Sequence, residues 1–264
     1  MKTILLTGAT DGIGLEAAKM FVEQGHKVLI HGRNEGRLEA AKKLLLEINQ
    51  NAKIEMYLAD LSDLEAVGQM ADTLLKKGET LDVLINNAGV FIVPESSRVT
   101  KDGLDVRFVV NMIAPYILTK KLMPLLAKSS RVVNLSSAAQ APVDIEGILA
   151  NKTFEPNAAY AGSKLGITMW TMSMAEKYPE GPIFIAVNPK SFLGSKMVQE
   201  AYNTKGHDMR IGGQIIYDAA LSDKFATANG KYFDNDYGVF SDPHPAAFDA
   251  INRAELIKML EKYC

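Results

Sequence analysis

Tyr160 and Lys164, four residues apart in the run Tyr160-Ala161-Gly162-Ser163-Lys164, have the spacing in this chain best suited to chemistry. On a helix, positions four apart share one face. A free phenol has a pKa near 10, too high for proton transfer at neutral pH. An ammonium about 4 Å away contributes roughly 4 kcal/mol at an effective dielectric near 20, which lowers the phenol's pKa by about three. Such a pair can work as a general acid and base. Tyrosine–lysine neighbours are also common on ordinary helices, so the pair gains meaning only if other motifs agree with it.

One that agrees is the glycine loop Thr7-Gly8-Ala9-Thr10-Asp11-Gly12-Ile13-Gly14. It lies between an apolar run, Thr3–Thr7, and an amphipathic stretch, Ile13–Gln24. Glycines there permit positive φ and a close approach of backbone to phosphate. The helix start adds free N–H groups and a partial positive charge. Gly8, Thr10, Asp11, Gly12, Ile13 and Gly14 are thus candidate dinucleotide-binding residues, spaced G-x-x-x-G-x-G rather than G-x-G-x-x-G. The end of the second strand selects the dinucleotide: an acid suits the ribose of NAD, an arginine the 2′-phosphate of NADP. The chain reads His31-Gly32-Arg33-Asn34, with no acid before Glu35. Arg33 and Asn34 therefore favour NADP(H) over NAD(H). Asp11 pulls the other way, since a basic residue in that loop would have helped a phosphate.

These residues need elements that bring them together. Short β-type runs at Thr3–Thr7, Lys27–His31, Lys53–Leu58, Asp82–Asn86, Arg131–Leu135 and Pro182–Val187 alternate with helical stretches. The helices are expected at Ile13–Gln24, Glu35–Ile48, Asp63–Lys77, Gly103–Ala127, Asn157–Lys177, Gly212–Leu221 and Asp249–Lys262, and Lys231–Asp234 is strand-like. Pro115 should interrupt the ladder of the long fourth helix. This alternation implies βαβ units and a parallel sheet. The fold class is α/β: a single doubly wound domain over residues 1–264, with a seven-stranded, mainly parallel sheet and helices on both faces.

Composition narrows the function. The chain has 264 residues, with 29 basic against 31 acidic side chains. That balance argues against nucleic acid or an anionic membrane surface as partner. Cys264 is the only cysteine, so neither an internal disulfide nor a cysteine zinc set can form, and no metal site is expected. No apolar run approaches the roughly 20 residues of a membrane span. The start, Met1–Leu6, reads as a strand rather than a signal sequence, and the expected location is the cytoplasm.

Together the glycine loop, Asn86-Asn87-Ala88-Gly89, Ser136-Ser137 and Tyr160-Ala161-Gly162-Ser163-Lys164 resemble the short-chain dehydrogenase/reductase family. Asp60-Leu61 and Asn111 also match, in the family's order along nearly the whole chain. The resemblance implies a Rossmann-type oxidoreductase that transfers a hydride between a nicotinamide and a carbonyl or alcohol. Tyr160 would be the general acid and base. Lys164 would lower its pKa and hydrogen-bond the nicotinamide ribose. Ser137 would hold the substrate oxygen; it is preferred to Ser136 because small residues, Ala138 and Ala139, follow it. Asn111 would hold a water that links Lys164 to solvent. Asp60 and Leu61 would flank the adenine, Asn87, Ala88 and Gly89 would line the adenosine side, and Asn188-Pro189 would contact the carboxamide. Family members usually form homodimers or homotetramers through the long helix and the Tyr160 helix.

Three features depart from the family pattern. The stretch from Ser137 to Tyr160 is lengthened, as in the retinol-dehydrogenase-like branch. Residues 138–159 should form a flap in which Ile145, Ile148, Leu149 and Phe154 either touch an apolar substrate or only pack the flap down. Pro189 is followed by Lys190 where glycine is usual, so Lys190 must take a glycine-like backbone. Residues 190–210 form a second flap, within which Ser191–Met197 could close over the nicotinamide and Ser195 could touch phosphate. Ala114 stands where a glycine is common. Asp234-Asn235-Asp236 reads as a solvated turn, and His207 and His244 as surface residues. Met169, Met172, Met174 and Trp170 read as core or dimer contacts. Two other functions stay open: an NAD-linked alcohol dehydrogenase, and a non-catalytic NADP sensor on the same fold, though the latter should have lost its Ser/Tyr/Lys/Asn set.

Overall fold

In the computed structural model, which describes residues 1–195, 198–200 and 203–264, the alternating apolar runs become a single twisted sheet. The chain runs β1 (Thr3–Leu6), α1 (Gly12–Glu23), β2 (Lys27–Gly32), α2 (Glu35–Ile48), β3 (Ile54–Leu58), α3 (Leu64–Lys77) and β4 (Leu81–Asn86). It continues with α4 (Val106–Phe108), α5 (Ala114–Leu122), β5 (Leu126–Leu135), α6 (Ile145–Leu149), α7 (Pro156–Lys177) and β6 (Ile183–Asn188). The last elements are α8 (Met209–Leu221), β7 (Tyr232–Asp234), β8 (Val239–Ser241) and α9 (Ala250–Leu260). The helix starts follow local chemistry. Asp11, Asn34, Asp63, Asp208 and Asp249 each cap a helix by accepting a backbone N–H from its first turn.

The strand order is β3-β2-β1-β4-β5-β6-β7-β8. All pairs are parallel except β7–β8. The sheet thus has eight strands, not the seven expected. The extra strand, β8, is a three-residue antiparallel edge whose side chains are mostly exposed, so it has no apolar pattern to reveal it. Successive side chains divide between two cores. Leu5, Leu29, Leu84, Val132 and Phe184 face α3, α5 and α7, while Ile4, Val28, Val83, Val133 and Ile185 face α1, α2 and α8.

The long helix breaks where Pro115 predicts. Residues Val109–Ile113 form a π-helical turn, and Ala114 N–H donates to Val109 O, five residues back. Pro115 has no N–H to give the carbonyl of Asn111, so the α-helical ladder cannot pass through this point. Such π turns concentrate at functional positions, and this one carries Asn111.

Helix α7 is buried on every side between Gly162 and Thr171. One side packs on the sheet; another is covered by α9, whose Leu256, Met259 and Leu260 join the core that holds Met169, Trp170 and Met174. Arg253 pairs with Glu176 at 2.9 Å, and Tyr116 OH donates to Glu261 at 2.7 Å. The methionines and Trp170 on this helix are therefore core residues. A second copy docking on α5 and α7 would have to displace α9. No helix among the described residues is long and apolar enough to cross a membrane.

Removing residues 250–264 strips this cover from α7. A chain ending at Asp249 is expected to show a higher mass by size-exclusion light scattering than the full chain. Equal masses for both would mean that α9 is not what keeps this face from a partner.

Candidate active site

Parallel strands place their C-terminal ends on one side, and the strand order reverses between β1 and β4. That reversal opens a crevice where ligands bind in doubly wound folds. A cleft of about 460 Å³ lies there. Its walls bring together Gly8, Thr10, Asp11, Gly12, Ile13, Gly14, Arg33, Asp60, Leu61, Asn87, Ala88, Gly89, Ser137, Tyr160, Lys164, Pro189 and Ser195. Residues spread over most of the chain thus converge on one cavity.

The glycine loop is held from below. Thr7 Oγ1 donates to Ile85 O and accepts from the N–H groups of Asn87 and Ala88. Asn87 Nδ2 donates to Thr7 O at 2.9 Å and Gly8 O at 3.0 Å. A side chain at Gly14 would run into Gly8 O and the Asn87 amide, so the loop closes only over hydrogen. Gly12 has φ +57° and open space where a Cβ would stand. The N–H groups of Ile13 and Gly14 have no backbone acceptor among the described residues. A tight backbone cradle with unpaired helix-start donors fits a dinucleotide's pyrophosphate.

His31 also belongs to this wall, and the sequence reading passed over it. Its Nδ1 accepts from Gly8 N–H at 3.3 Å, and its Nε2 lies 3.0 Å from Ala59 O. Burial pushes the imidazole down to about 4, so the ring is neutral at pH 7 and can accept at one nitrogen while donating at the other. Its signal was a polar residue at the buried end of a strand. Arg33 is exposed at the cleft edge. Asn34 is not among the lining residues; its Oδ1 is committed to Arg37 N–H as the cap of α2. Asp11 uses Oδ1 to accept from Gly12 N–H, and its Oδ2 lies 3.9 Å from Arg37.

At the other end, β5 delivers two serines with different fates. Ser136 is buried and bonds backward to α7, with Oγ 3.0 Å from Lys164 O and 2.7 Å from Thr168 Oγ1. Ser137 lies at the cleft, its Oγ accepting from Ala139 N–H at 3.1 Å. A buried polar chain sets α7 against the strands. Asn86 Nδ2 donates to Asn134 Oδ1 at 2.7 Å, and Asn134 Nδ2 donates to Thr171 Oγ1 at 2.8 Å.

Lys164 is 5% exposed and has no carboxylate partner among the described residues. Its ammonium donates to Leu135 O at 2.7 Å and lies 5.7 Å from the Tyr160 ring centroid. Burial pushes its pKa down to about 8. Asn111 stands behind the cleft rather than in its wall. Its amide clamps Val90, with Oδ1 accepting from Val90 N–H at 2.8 Å and Nδ2 donating to Val90 O at 2.9 Å. Nδ2 also reaches Ser163 Oγ at 3.0 Å, which ties the turn after β4 to α7.

On the substrate side, the structure favours one of the two roles open to the first flap. None of Ile145, Ile148, Leu149 and Phe154 lines the cleft. Ile148 and Phe154 are buried in the core, and Phe154 meets Phe108 edge-on at 5.0 Å, so the apolar residues pack the flap down. The apolar wall comes instead from Val90, Phe91, Phe192 and Leu193. Phe91 lies 4.5 Å from the Tyr160 ring. It is held there by Arg107, which donates to Phe91 O at 3.2 Å while paired in the interior with Asp105 at 2.7 Å. Phe91 stands two residues after the Asn-Asn-Ala-Gly motif, and that adjacency was its only signal.

Beyond β6, Lys190 has φ +114°, the glycine-like backbone expected of it. Such a conformation costs a side-chain-bearing residue about 1–3 kcal/mol. Ser191, Phe192, Leu193, Ser195 and Val198 line the cleft. Lys196 and Met197, part of the expected second flap, lie outside the described residues, as do Ala201 and Tyr202. Asp234-Asn235-Asp236 is not a solvated turn: these residues are half-buried and bonded to the segment after β6. No group of three or more metal-ligating side chains occurs among the described residues.

The family described as short chain dehydrogenase matches residues 2–206. The chain is 34% identical to human polyprenol dehydrogenase over 178 residues, covering 64% of this chain and 53% of that protein. It is 30% identical to bovine retinol dehydrogenase 12 over 246 residues, covering 88% of this chain and 77% of that one. The chain thus spans about half the length of the polyprenol dehydrogenase it matches. Among solved structures, a short chain dehydrogenase from Shigella flexneri complexed with NADP superposes with a TM-score of 0.69 at 26% identity. That match covers 89% of this chain and 96% of the other.

The buried ammonium predicts a pH signature. Lys164 titrates near 8 in the folded chain and near 10.5 when free, so the folded state carries an uncompensated charge at pH 7. That burden is present below pH 8 and is relieved as pH rises from 8 to 10.5, where the unfolded chain still binds the proton. Lys164→Met has no such burden. Its stability relative to wild type, measured by urea unfolding, should fall as pH is raised from 7 to 10.5, by up to about 3 kcal/mol. A difference independent of pH would show that Lys164 titrates normally.

Proposed function

The chain belongs to the short-chain dehydrogenase/reductase family, and on that premise we propose that it is an oxidoreductase that transfers a hydride between the nicotinamide of NADP(H) and a carbonyl or alcohol carbon. The observation that carries this reading is the convergence of Tyr160, Lys164 and Ser137 with the glycine loop on one cleft. A bound nicotinamide cofactor would supply the hydride. The chain's own residues supply orientation, a proton and electrostatics.

In the reducing direction Tyr160 gives its phenolic proton to the substrate oxygen, and in the oxidising direction it takes that proton back. The Lys164 ammonium favours the phenolate by Coulomb attraction, undiluted by water because the lysine is buried. Ser137 donates to the substrate oxygen and stabilises the charge that develops there. Gly8, Thr10, Gly12, Ile13 and Gly14 would hold the pyrophosphate, with Asp11 shaping the loop by accepting from Gly12 N–H, and Arg33 would hold the 2′-phosphate. Asp60 and Leu61 flank the adenine, and Asn87, Ala88 and Gly89 line the adenosine side. Pro189 and Ser195 serve the nicotinamide and phosphate ends. Asn111 acts by bracing Val90 and Ser163, which fixes Gly89 beside the lysine. The Phe91 and Phe192 walls favour a lipophilic carbonyl.

Asp11 gives one ground for a second reading, with NAD(H) as the cofactor, because its carboxylate stands in the phosphate loop. Arg33→Ala separates the two. It should raise the KM for NADPH by about tenfold, the loss expected for a charge-assisted bond, and leave that for NADH nearly unchanged. Unchanged values for both would remove Arg33 from the site.

The acid–base assignment is tested by Tyr160→Phe. Turnover of any carbonyl the wild type reduces, found by NADPH consumption over a substrate panel, should drop by at least about 10²–10⁴-fold. NADPH affinity, read by fluorescence titration, should stay within about twofold, because the ring and its contacts remain. Full activity in this variant would sink the assignment.

A further inference from the structure

The match to the family model ends at residue 206, yet the β7–β8 hairpin beyond it bonds back to the segment after β6 that lines the cleft. Asp236 receives three donors on its two oxygens. Ser191 N–H donates at 2.9 Å, Ser191 Oγ at 2.6 Å and Asn188 Nδ2 at 2.9 Å. Asn188 Nδ2 also donates to Asp234 Oδ1 at 2.8 Å, and Asn235 Nδ2 donates to Pro189 O at 3.1 Å. Between these anchors sits Lys190, with φ +114°. A strained backbone persists only where its surroundings over-determine it. Here the hairpin supplies those surroundings from 45 to 48 positions further along the chain.

The chemistry asks for a carboxylate. Ionised, it presents acceptors only, on both oxygens. An asparagine amide has the same shape but would turn an NH₂ group towards Asn188 Nδ2 or Ser191 N–H, donor against donor. Burial pushes the Asp236 carboxyl up, but the bonds from Ser191 and Asn188 and the nearby Lys190 charge together outweigh it and hold the acid below its usual range, so it stays ionised.

We propose that Asp236 is a positioning residue: by gathering Asn188 and Ser191 it holds Pro189–Leu193 in the shape that grips the nicotinamide half of a bound dinucleotide. The proposal rests on the dinucleotide reading above. It predicts that the hairpin governs affinity for one half of the cofactor and not the other.

The test uses the purified full chain and calorimetric titration with two ligands. One is the oxidised dinucleotide the wild type prefers, NADP⁺ or NAD⁺; the other is its adenosine half, 2′,5′-ADP or ADP. Asp236→Asn should weaken the dinucleotide by about tenfold or more, as for a lost bond to a charged group, and leave the half-ligand within about twofold. A general loss of structure would weaken both. The double variant Lys190→Gly with Asp236→Asn should lose less affinity relative to Lys190→Gly alone, because glycine adopts this backbone without being held. Ser191→Ala, a milder lesion that keeps the backbone bond, gives the same split if Asp236→Asn does not fold.

Equal weakening of both ligands, or an unchanged dinucleotide affinity, would overturn the proposal. So would a wild type that binds the half-ligand as tightly as the dinucleotide, since the nicotinamide half would then not be gripped. A wild type that binds neither ligand would instead overturn the dinucleotide reading beneath it.

Discussion

The site is organised around an ammonium taken out of water with no carboxylate among the described residues to answer it. Lys164 is buried, and its ammonium donates to a backbone carbonyl, Leu135 O, at 2.7 Å. A charge in that setting is destabilising unless something else in the cleft uses it. The surrounding structure is arranged so that it cannot swing back to solvent. Ser136 and Thr168 fasten the helix turn on which Lys164 stands. The Asn86–Asn134–Thr171 chain sets the same helix against β4 and β5. Asn111 closes the remaining side through Val90 and Ser163. Each of these side chains is polar and buried, and each gives at least one hydrogen bond to this framework, although Asn86 Oδ1 finds no partner among the described residues. The interior thus accepts a run of buried polar groups to hold one charge beside one phenol.

The same economy appears at the phosphate end. The loop after β1 and the turn after β4 share their hydrogen bonds, through Thr7 on one side and Asn87 on the other. Because β1 and β4 are neighbours in the sheet, the glycine loop and the Asn-Asn-Ala-Gly turn meet at the crevice without a linker. His31 adds a third strand to this arrangement, bonded to Gly8 on one nitrogen and to Ala59 on the other. A neutral imidazole can accept from one backbone group at one nitrogen and donate to another at the other. The cleft is therefore rigid at its adenosine end, where a cofactor needs a ready-made cradle.

What could be read from the residues alone follows the range over which the signals act. The alternation of strands and helices, the helix start at Asp63 and the break at Pro115 are local, and all were legible. The Tyr160–Lys164 spacing and the glycine loop were legible because each motif is complete within a few residues. Contacts between distant segments were not. Asp234–Asp236 looked like a solvated turn because nothing near it in the chain shows that Asn188 and Ser191 arrive there. Ile148 and Phe154 looked as suited to a substrate as to a core, since burial is decided by what packs on them. Asn34 was assigned to the cofactor by its neighbour Arg33, whereas its amide caps a helix. Strand β8 carries no alternation, and only pairing with β7 defines it.

Lys190 joins these two kinds of signal. Its unusual backbone could be anticipated, because a glycine-like turn after the sixth strand leaves any other residue strained. The means of sustaining that strain could not, because they lie in a hairpin far along the chain. Glycine would make the turn without outside help but would leave it free to move. A lysine at the same point needs Asp236 and Asn235 to hold its neighbours, and once held the segment has fewer alternatives. Replacing glycine therefore shifts the control of this wall of the cleft from local backbone freedom to a long-range polar clamp. In this chain the family's turn and the hairpin beyond the family match operate as one unit.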